Sequence, residues 1–342
     1  MIEAVDLFCG AGGLTAGLRQ SRVAVRAGYD IEESCRFAYE HNNQAQFIRQ
    51  DVSELTGDEI NGWYQDPDAI RLLAGCAPCQ PFSTYNQGKD TTKDKQWPLL
   101  GAFTRLIKEA QPELVTMENV PSVTKHKIYH EFVGSLKDEG YHVWADTVKC
   151  IEYGLPQNRR RHVLLASKLG PIELIAATHP IPVTVKDTIG DLEPVEAGAD
   201  NHNDPLHKAS KLSKINMERI RHSRPGGTWR DWPEQLRADC HVRSSGKSYP
   251  AVYGRMEWNK PSPTMTTLCF GFGNGRFGHP EQDRGITLRE AALLQSFPHD
   301  YKFVPDTQPV LLKPVGKMIG NAVPVRLAEI IGHSFNAHLA SL

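Results

Sequence analysis

The first half of the chain alternates short apolar runs with helical segments, and this order is the strongest constraint on its fold. Ala4 to Phe8 and Val23 to Tyr29 have the length and composition of buried strands. Between them, Leu14 to Gln20 carries apolar residues at helical spacing. Repeated strand–helix units of this kind predict an α/β fold with a doubly wound, mostly parallel sheet. Ligands bind such sheets beyond the carboxyl ends of the strands.

Chemically active side chains come at four of these predicted strand ends. Asp30 follows the second apolar run, Asp51 the third, Cys79 the fourth and Glu118 the fifth. A thiol and a carboxyl group placed in this way can attack an electron-poor ring. The thiolate adds to the ring, and the carboxylic acid protonates it as charge builds. One such residue would carry no weight, but four form a coherent pattern.

A glycine-rich loop follows the first predicted strand. Gly10, Gly12 and Gly13 let the backbone pass close to a ligand, although they lack the dinucleotide spacing Gly-x-Gly-x-x-Gly. Phe8 could stack on an adenine, and a ribose hydroxyl could bind the carboxylate of Asp30. A tight turn with a core phenylalanine explains the loop alone equally well. The acids at the next two strand ends favour a cofactor site.

Cys79 has three competing interpretations. A thiol has a pKa near 8.5 and needs cationic neighbours to become a nucleophile at neutral pH, which a loop position after Pro78 could supply. A buried structural cysteine is the ordinary alternative. The spacing of Cys76 and Cys79 also fits a thioredoxin-type redox pair or half of a zinc site. No second Cys-x-x-Cys occurs, so the sequence predicts no metal site.

Glu118 and two arginines are further candidates. Burial at the end of an apolar run could keep Glu118 protonated and able to donate to a ring nitrogen, whereas a solvent-facing strand end is the alternative. In Gln157-x-Arg159-x-Arg161, an extended backbone would put both guanidinium groups on one face. They could bind a carboxyl, a phosphate or a base carbonyl. Taken alone, a basic surface run is the simpler explanation.

The second half is less regular. Residues 184–283 are rich in Pro, Gly, Asn, His and Trp and predict a smaller, irregular, β-rich domain with short pieces such as Ser262 to Leu268. Residues 1–183 and 284–342 would form the main domain. A capping box at Thr287 predicts a helix through Phe297, stopped by Pro298. Pro324 is expected to start a final helix.

Charge and composition set limits on location and partners. Residues 202–260 carry twelve Lys or Arg against six Asp or Glu, as expected for a phosphate-backbone partner, although a solvated surface explains the charge equally well. With no apolar run of eighteen residues, a membrane span and a signal peptide are not expected. Seven scattered cysteines do not suggest a disulfide framework. We therefore expect a cytoplasmic protein.

Six motifs together resemble the cytosine-5 DNA methyltransferases, in that family's order. Pro-Cys-Gln and Glu-Asn-Val are the most specific of them. The resemblance covers roughly residues 1–183 and 284–342. Cys76-Ala77 departs mildly from the pattern, since many members have Gly-Pro or Gly-Phe there. The six are Asp6 to Gly13, Gly75 to Ser83, Glu118 to Val120, Gln157 to Arg161, Thr287 to Pro298, and Gly320 to Pro324.

The resemblance implies a Rossmann-like methyltransferase fold and a set of residue roles. Cys79 would attack C6 of a cytosine, and Glu118 would protonate or hydrogen-bond N3. Arg161 would bind the O2 side of the base, with Arg159 helping to place Cys79. The C5 carbon would then take a methyl group from S-adenosyl-L-methionine. The implied cofactor residues are Phe8, Gly10, Gly12, Asp30, Ile31, Asp51, Val52, Leu99 and Asn321.

The resemblance also implies double-stranded DNA as the partner. The cytosine must flip out of the duplex, and Pro81 to Pro98 has the polar composition of a lid. Residues 184–283 would recognise the target sequence, and a restriction endonuclease could share the site. The chain is expected to act as a monomer. The expected DNA contacts are Gln80, Ser83, Lys89, Arg243, Arg255, Lys260, Thr266, Asn274 and Arg276.

Three other functions remain open from sequence. One is a tRNA cytosine-5 methyltransferase of the same family, against which the basic second domain argues. Another is an inactive DNA-binding relative, which the presence of Cys79, Glu118 and Arg161 disfavours. The third is a thiol redox protein using Cys76 and Cys79, which the glycine loop disfavours.

Overall fold

The computed structural model describes residues 1–78, 97–243 and 248–342. Within them, contacts divide the chain into two units. The first comprises Met1–Tyr153, Arg160–Thr178 and Ala322–Leu342, and the second comprises Gly154–Arg159 and His179–Asn321. The domain boundaries expected from sequence, at 184 and 283, stay a prediction. No helix in the described ranges is long and apolar enough to cross a membrane.

A seven-stranded mixed sheet forms the centre of the first unit, in the order β3-β2-β1-β4-β5-β7-β6. The pairs among β1 to β5 are parallel, whereas β7 runs antiparallel to both of its neighbours. The expected mostly parallel α/β sheet is confirmed. The strands are β1 (Ile2–Leu7), β2 (Ala24–Asp30), β3 (Gln46–Arg49), β4 (Ile70–Gly75), β5 (Leu114–Asn119), β6 (His142–Lys149) and β7 (Arg160–Ser167).

Helices connect these strands and continue into the second unit. The helix predicted over Leu14 to Gln20 is confirmed with one added residue. The α-helices of the described residues are α1 (Gly13–Gln20), α2 (Arg36–Asn43), α3 (Gly57–Asn61), α4 (Trp97–Ala110), α5 (Lys127–Asp138), α6 (Val185–Ile189), α7 (Lys214–Arg221), α8 (Asp239–Val242), α9 (Leu288–Leu294), α10 (Leu312–Asn321) and α11 (Val325–Ala340).

The sheet is buried because helices pack against it. All six residues of β1 and of β5 are buried, including the polar residues Glu3 and Asp6 of β1 and Thr116, Glu118 and Asn119 of β5. Leu7 and Leu73 pack with Phe103 of α4 and Phe132 of α5 in one core cluster. Helix α4 contacts both α3 and α5, and α1 contacts α2 and α11. Strand order reverses between β1 and β4, so the carboxyl ends of these two strands form the crevice where ligands bind such sheets.

Several predicted element ends differ from the structure by a few residues. Glu118 lies inside β5 and not after it, because the ladder with β7 continues through Asn119. Helix α9 begins at the predicted capping box of Thr287 and Glu290 but ends at Leu294 and not at Phe297. Ser296 has a φ of 64°, a left-handed conformation that terminates the helix before Pro298.

The second unit is irregular, as expected, but the prediction that it is β-rich was wrong. Its described residues contain α6 to α10, 3-10 turns and isolated bridges such as Pro225 to Arg255, and no named strand. Ser262 makes only a single bridge, to Gln157. An apolar cluster of Ile220, Leu236 and three aromatic residues, Trp229, Trp232 and Phe272, packs this unit.

Close packing of α1 on α11 predicts an asymmetric response to two glycine substitutions. A methyl group at Gly17 would overlap the carbonyl oxygen of Val325 and lie 2.5 Å from the Cβ of Ala328. We expect Gly17→Ala to lower the free energy of unfolding by about 1–3 kcal/mol, because a packed interface cannot admit the methyl. Urea unfolding midpoints measure the change.

Gly134→Ala is the matched control for that substitution. Gly134 lies in α5, and a Cβ there would meet nothing within 4 Å. Alanine is the better helix former by about 1 kcal/mol, so this variant should be neutral or more stable. Equal destabilisation by both variants would show that α1 and α11 are not in close backbone contact.

Candidate active site

The loop after β1 forms a cradle for a ligand. Gly10 has a φ of 50°, and a Cβ there would meet nothing within 4 Å, so the backbone borders open space. Its amide donates to Oδ2 of Asp30 at 2.9 Å, which ties the loop to the end of β2. Gly12, with a φ of 91°, precedes α1. Phe8, with a φ of 61°, packs partly against the core cluster.

The neighbouring strand ends supply polar and apolar surface to the same edge. Asp30 accepts a second bond from the amide of Glu32 at 2.9 Å, while Asp51 caps a short helical turn through the amide of Ser53. Ile31, between these acids, is 66% exposed. An isoleucine left in solvent beside two carboxylates suits a ligand that joins an aromatic ring to a ribose. Val52 is buried there.

The donor set at this edge fits S-adenosyl-L-methionine. Carboxylates at the ends of β2 and β3 match ribose hydroxyls and an adenine amino group, and Ile31 offers an apolar contact for the adenine. Leu99, in α4, is half-buried. Asn321 is the exposed last residue of α10 and belongs to the second unit.

Asp6 is a buried carboxyl group beneath the loop. Its Oδ2 accepts from the hydroxyl of Thr15 at 2.7 Å, and that hydroxyl lies 2.9 Å from the hydroxyl of Tyr39. Its Oδ1 has no hydrogen-bond partner among the described residues. Burial raises the pKa of Asp6 to about 7, and the nearby charge of Asp30 adds to the shift.

Glu118 is the central group of a second cluster in the same unit. It is 3% exposed, and its Oε1 lies 2.8 Å from Nε of Arg161 in β7. The thiol of Cys76 donates to Oε2 at 2.9 Å. The side-chain Nδ2 of Asn119 donates to the carbonyl of Ala77 at 3.1 Å. The segment that leads to Cys79 is therefore fastened to β5 at two adjacent residues.

Cys79 and several expected DNA contacts lie outside the described residues. So does most of the predicted lid, although its last two residues belong to the first turn of α4. The sequence-predicted residues outside the described ranges are Cys79, Gln80, Ser83 and Lys89.

The two arginines of the Gln157 motif have different surroundings. Arg161 pairs with Glu118 in the first unit. Arg159 belongs to the second unit, is buried, and donates to the carbonyl of Met265 at 3.1 Å. Gln157 is fully buried, donates to Gln295 and accepts from the amide of Met265. Within this motif, Gln157 and Arg159 therefore pack inside the second unit, whereas Arg161 forms an ion pair with Glu118.

Arg255 differs most from its expected role. It is 5% exposed, and its guanidinium donates to the carbonyls of Ile220, Ser223, His279 and Gln282 and pairs with Asp283. Its donors are occupied within the unit, so we leave it out of the DNA contacts proposed below.

The other expected contacts of the second unit differ in exposure. Arg276 is half-buried and donates to the carbonyl of Gly227 at 2.7 Å. Thr266 is half-buried, whereas Arg243, Lys260 and Asn274 are exposed.

Two participants in the site were not identified as such from sequence. The contact of Cys76 with Glu118 depends on the pairing of β4 with β5, which brings residues 42 positions apart together. The sequence marks Asp6 only as the first residue of a motif. Its burial follows from the central place of β1 between β2 and β4, and a polar residue in an otherwise apolar strand was the available signal.

Comparison with protein families and relatives supports one chemistry for this site. The model of the family described as C-5 cytosine-specific DNA methylase matches residues 2–337. A Type II methylase of Herpetosiphon aurantiacus, M.HgiDII, is 50% identical over 99% of this chain and 96% of its own length. The Type II methyltransferase M1.BsuMI of Bacillus subtilis is 33% identical over 96% of this chain and 79% of its own length.

Solved structures share the fold. A DNA modification methyltransferase encoded within an E. coli prophage superposes with a TM-score of 0.76 at 23% identity, covering 99% of this chain and 100% of the other. The Dnmt2 methyltransferase of S. pombe superposes with a TM-score of 0.61 at 17% identity, covering 99% of each chain. At these identities the likeness concerns the fold alone.

The buried carboxyl of Asp6 predicts a pH-dependent stability. Because its folded pKa, about 7, lies above the unfolded value of 3.8, the neutral form stabilises the folded state, and that stability is lost as pH rises from about 4 to about 7. Asp6→Asn keeps an acceptor for Thr15 without the ionisation. The free energy of unfolding of this variant, relative to that of the wild type, should rise by up to about 4 kcal/mol as pH increases across that interval.

Urea unfolding at several pH values measures this effect. Asp68→Asn, which changes an exposed carboxyl in a loop, is the control and should follow the wild type. If the Asp6→Asn curve runs parallel to the wild type, Asp6 does not titrate in the folded protein in this interval.

Proposed function

The chain belongs to the C-5 cytosine-specific DNA methylase family, and from that premise we propose which of its residues carry the reaction. It is a DNA (cytosine-5-)-methyltransferase, and S-adenosyl-L-methionine is its methyl donor. Its substrate is a cytosine in duplex DNA that must leave the base stack to be reached. The roles of individual residues, described next, are our proposals.

One observation supports these roles more than any other. The residues that lead into Cys79 are bonded to Glu118 and Asn119, through the thiol of Cys76 and the carbonyl of Ala77. Cys76 and Ala77, which come shortly before Cys79 in the sequence, thus lie beside the Glu-Asn-Val motif at the carboxyl ends of β4 and β5. A nucleophile and an acid must lie near each other to act on one ring.

We propose that Cys79 attacks C6 of the cytosine as a thiolate. Glu118 gives a proton or a hydrogen bond to N3, which draws charge away from C5 as the sulfur–carbon bond forms. When bound, S-adenosyl-L-methionine supplies an electrophilic methyl group to C5. S-adenosyl-L-homocysteine would then leave. Solvent water would take the proton from C5, and its electron pair would expel the thiolate of Cys79 from C6. The N3 proton would return to Glu118.

Arg161 is proposed to serve both Glu118 and the base. Its Nε holds Oε1 of Glu118 at 2.8 Å, and other guanidinium donors can reach the O2 side of a cytosine. Arg159 is proposed to act indirectly, because its guanidinium is buried against Gln157 and Met265. It would support the Gln157 motif that leads into β7.

The cofactor is proposed to bind at the carboxyl ends of β1, β2 and β3. Gly10 and Gly12 would admit it close to the backbone, the carboxylates of Asp30 and Asp51 would bind its ribose and adenine, and Ile31 would cover the ring. The other proposed contacts are Phe8, Val52, Leu99 and Asn321.

Residues 184–283 are proposed as a target-recognition domain. The exposed side chains of Arg243, Lys260 and Asn274 support this, since Arg and Lys bind phosphates and Arg reads guanine. Thr266 and Arg276 are further candidates, as are Gln80, Ser83 and Lys89. We also propose that the protein acts in the cytoplasm as a monomer, and that a restriction endonuclease recognises the same site.

Replacement of the nucleophile tests the reaction directly. We expect Cys79→Ser to abolish methyl transfer, because a serine hydroxyl is not ionised at neutral pH, and to leave S-adenosyl-L-methionine binding intact. Bisulfite sequencing of a plasmid from expressing cells should show protected cytosines at one recurring short sequence, absent with the variant.

Each other outcome has a distinct meaning. Methyl transfer by Cys79→Ser would remove the thiol from the mechanism. Loss of cofactor binding in that variant would give Cys79 a structural role. An unprotected plasmid despite expressed wild-type protein would contradict DNA as the substrate and favour a tRNA cytosine.

The acid is tested by removing its proton. Glu118→Gln keeps the shape of the side chain and should lower kcat about a hundredfold or more, because an amide cannot transfer a proton to N3. Glu131→Gln, on the surface of α5, is the matched control and should leave kcat unchanged. The turnover of the two variants on duplex DNA is compared by measuring the transfer of a labelled methyl group. Near-normal turnover by Glu118→Gln would remove the acid role.

A further inference from the structure

Cys76 links two parts of the active site that belong to different strands. It directly follows β4, and its amide donates to the carbonyl of Leu7, the last residue of β1, at 3.3 Å. Its thiol donates to Oε2 of Glu118 in β5 at 2.9 Å. One residue therefore connects the end of the strand that carries the cofactor loop with the proposed acid.

The two oxygens of Glu118 have different partners, an ion pair at Oε1 and a hydrogen-bond donor at Oε2. Oε1 faces Nε of Arg161 at 2.8 Å, and Oε2 faces the thiol of Cys76 at 2.9 Å. With 3% exposure, Glu118 has little access to water that could replace either partner. A thiol is a weak donor, but a hydrogen bond to a carboxylate is stronger in a low dielectric. Loss of either contact would leave a buried oxygen without its partner.

We propose that Cys76 is a positioning residue for methyl transfer, whose thiol orients the carboxyl group of Glu118 and stabilises it after proton donation. This inference rests on the proposed function of Glu118. When the O–H bond of Glu118 breaks and the N3–H bond of the base forms, the electron pair stays on the carboxylate. Cys76 then donates a hydrogen bond to Oε2 of the carboxylate, and the guanidinium group of Arg161 forms an ion pair with Oε1. The proton of the thiol is shared and never transferred.

The backbone around Cys76 is held independently of the thiol. The amide of Cys76 is bonded to Leu7, and the carbonyl of Ala77 is bonded to Asn119. Removal of the sulfur should therefore leave these two hydrogen bonds intact and take the thiol donor away from Glu118. This separation makes a positioning role distinguishable from a structural one.

A pair of substitutions tests the proposal. Cys76→Ala removes the donor and should lower kcat on duplex DNA about tenfold, with the KM values for DNA and S-adenosyl-L-methionine changed less than about twofold. Cys76→Ser restores an O–H donor of similar size and should recover at least about half of the wild-type kcat. Cys240→Ala, which removes an exposed thiol in α8, controls for loss of a cysteine and should match the wild type.

The outcomes separate this inference from the proposed function. The positioning role is supported if the wild type is active, Cys76→Ala has a tenfold lower kcat, and Cys76→Ser recovers it. Equal kcat in Cys76→Ala and the wild type overturns it, as does equal loss in both variants or a loss confined to KM. Absence of cytosine methylation by the wild type would instead overturn the proposed function itself.

Discussion

The buried carboxyl group of Glu118 is the constraint on which the rest of the active site depends. An ionised group at 3% exposure is costly unless it is partnered, and removal of one partner of such a pair is strongly destabilising. Arg161 reaches Glu118 only because β7 runs antiparallel to β5 in a register that pairs Glu118 with Val163. The antiparallel strand β7 thus places the guanidinium group of Arg161 beside Glu118. The same carboxyl group receives the thiol of Cys76 from the other side of β5.

The parallel half of the sheet brings together groups from distant parts of the sequence. Strands β1 to β5 all end at one edge, so a glycine loop, two aspartates and the Cys76 segment come together without a dedicated structure. Asp30 has a structural function here as well as its proposed binding role, since it accepts from the amides of Gly10 and Glu32. The bond from Gly10 ties the glycine loop to the end of β2.

The second unit is organised by arginine side chains, since its described residues contain no strand ladder. Buried carbonyl groups need donors, and in this unit buried guanidinium groups supply many of them. Arg255 donates to four carbonyls, and Arg284, fully buried, pairs with Glu290 and donates to Gly285. A high arginine content in this segment therefore reflects internal packing as well as any affinity for DNA. Charge counted along the sequence does not separate these two uses.

The sequence by itself determined the α/β class, the main strands, the capped start of α9 and the identity of the motifs. These features depend on local periodicity, on turn chemistry and on residue types, all of which a sequence contains. Tertiary structure alone decided that Cys76 contacts Glu118, that Arg159 and Arg255 are buried, and that the second unit lacks strands in its described residues. Each of these depends on which distant backbone groups remain unpaired after the chain folds. Local sequence does not encode that outcome, because strand register and burial are properties of the whole chain.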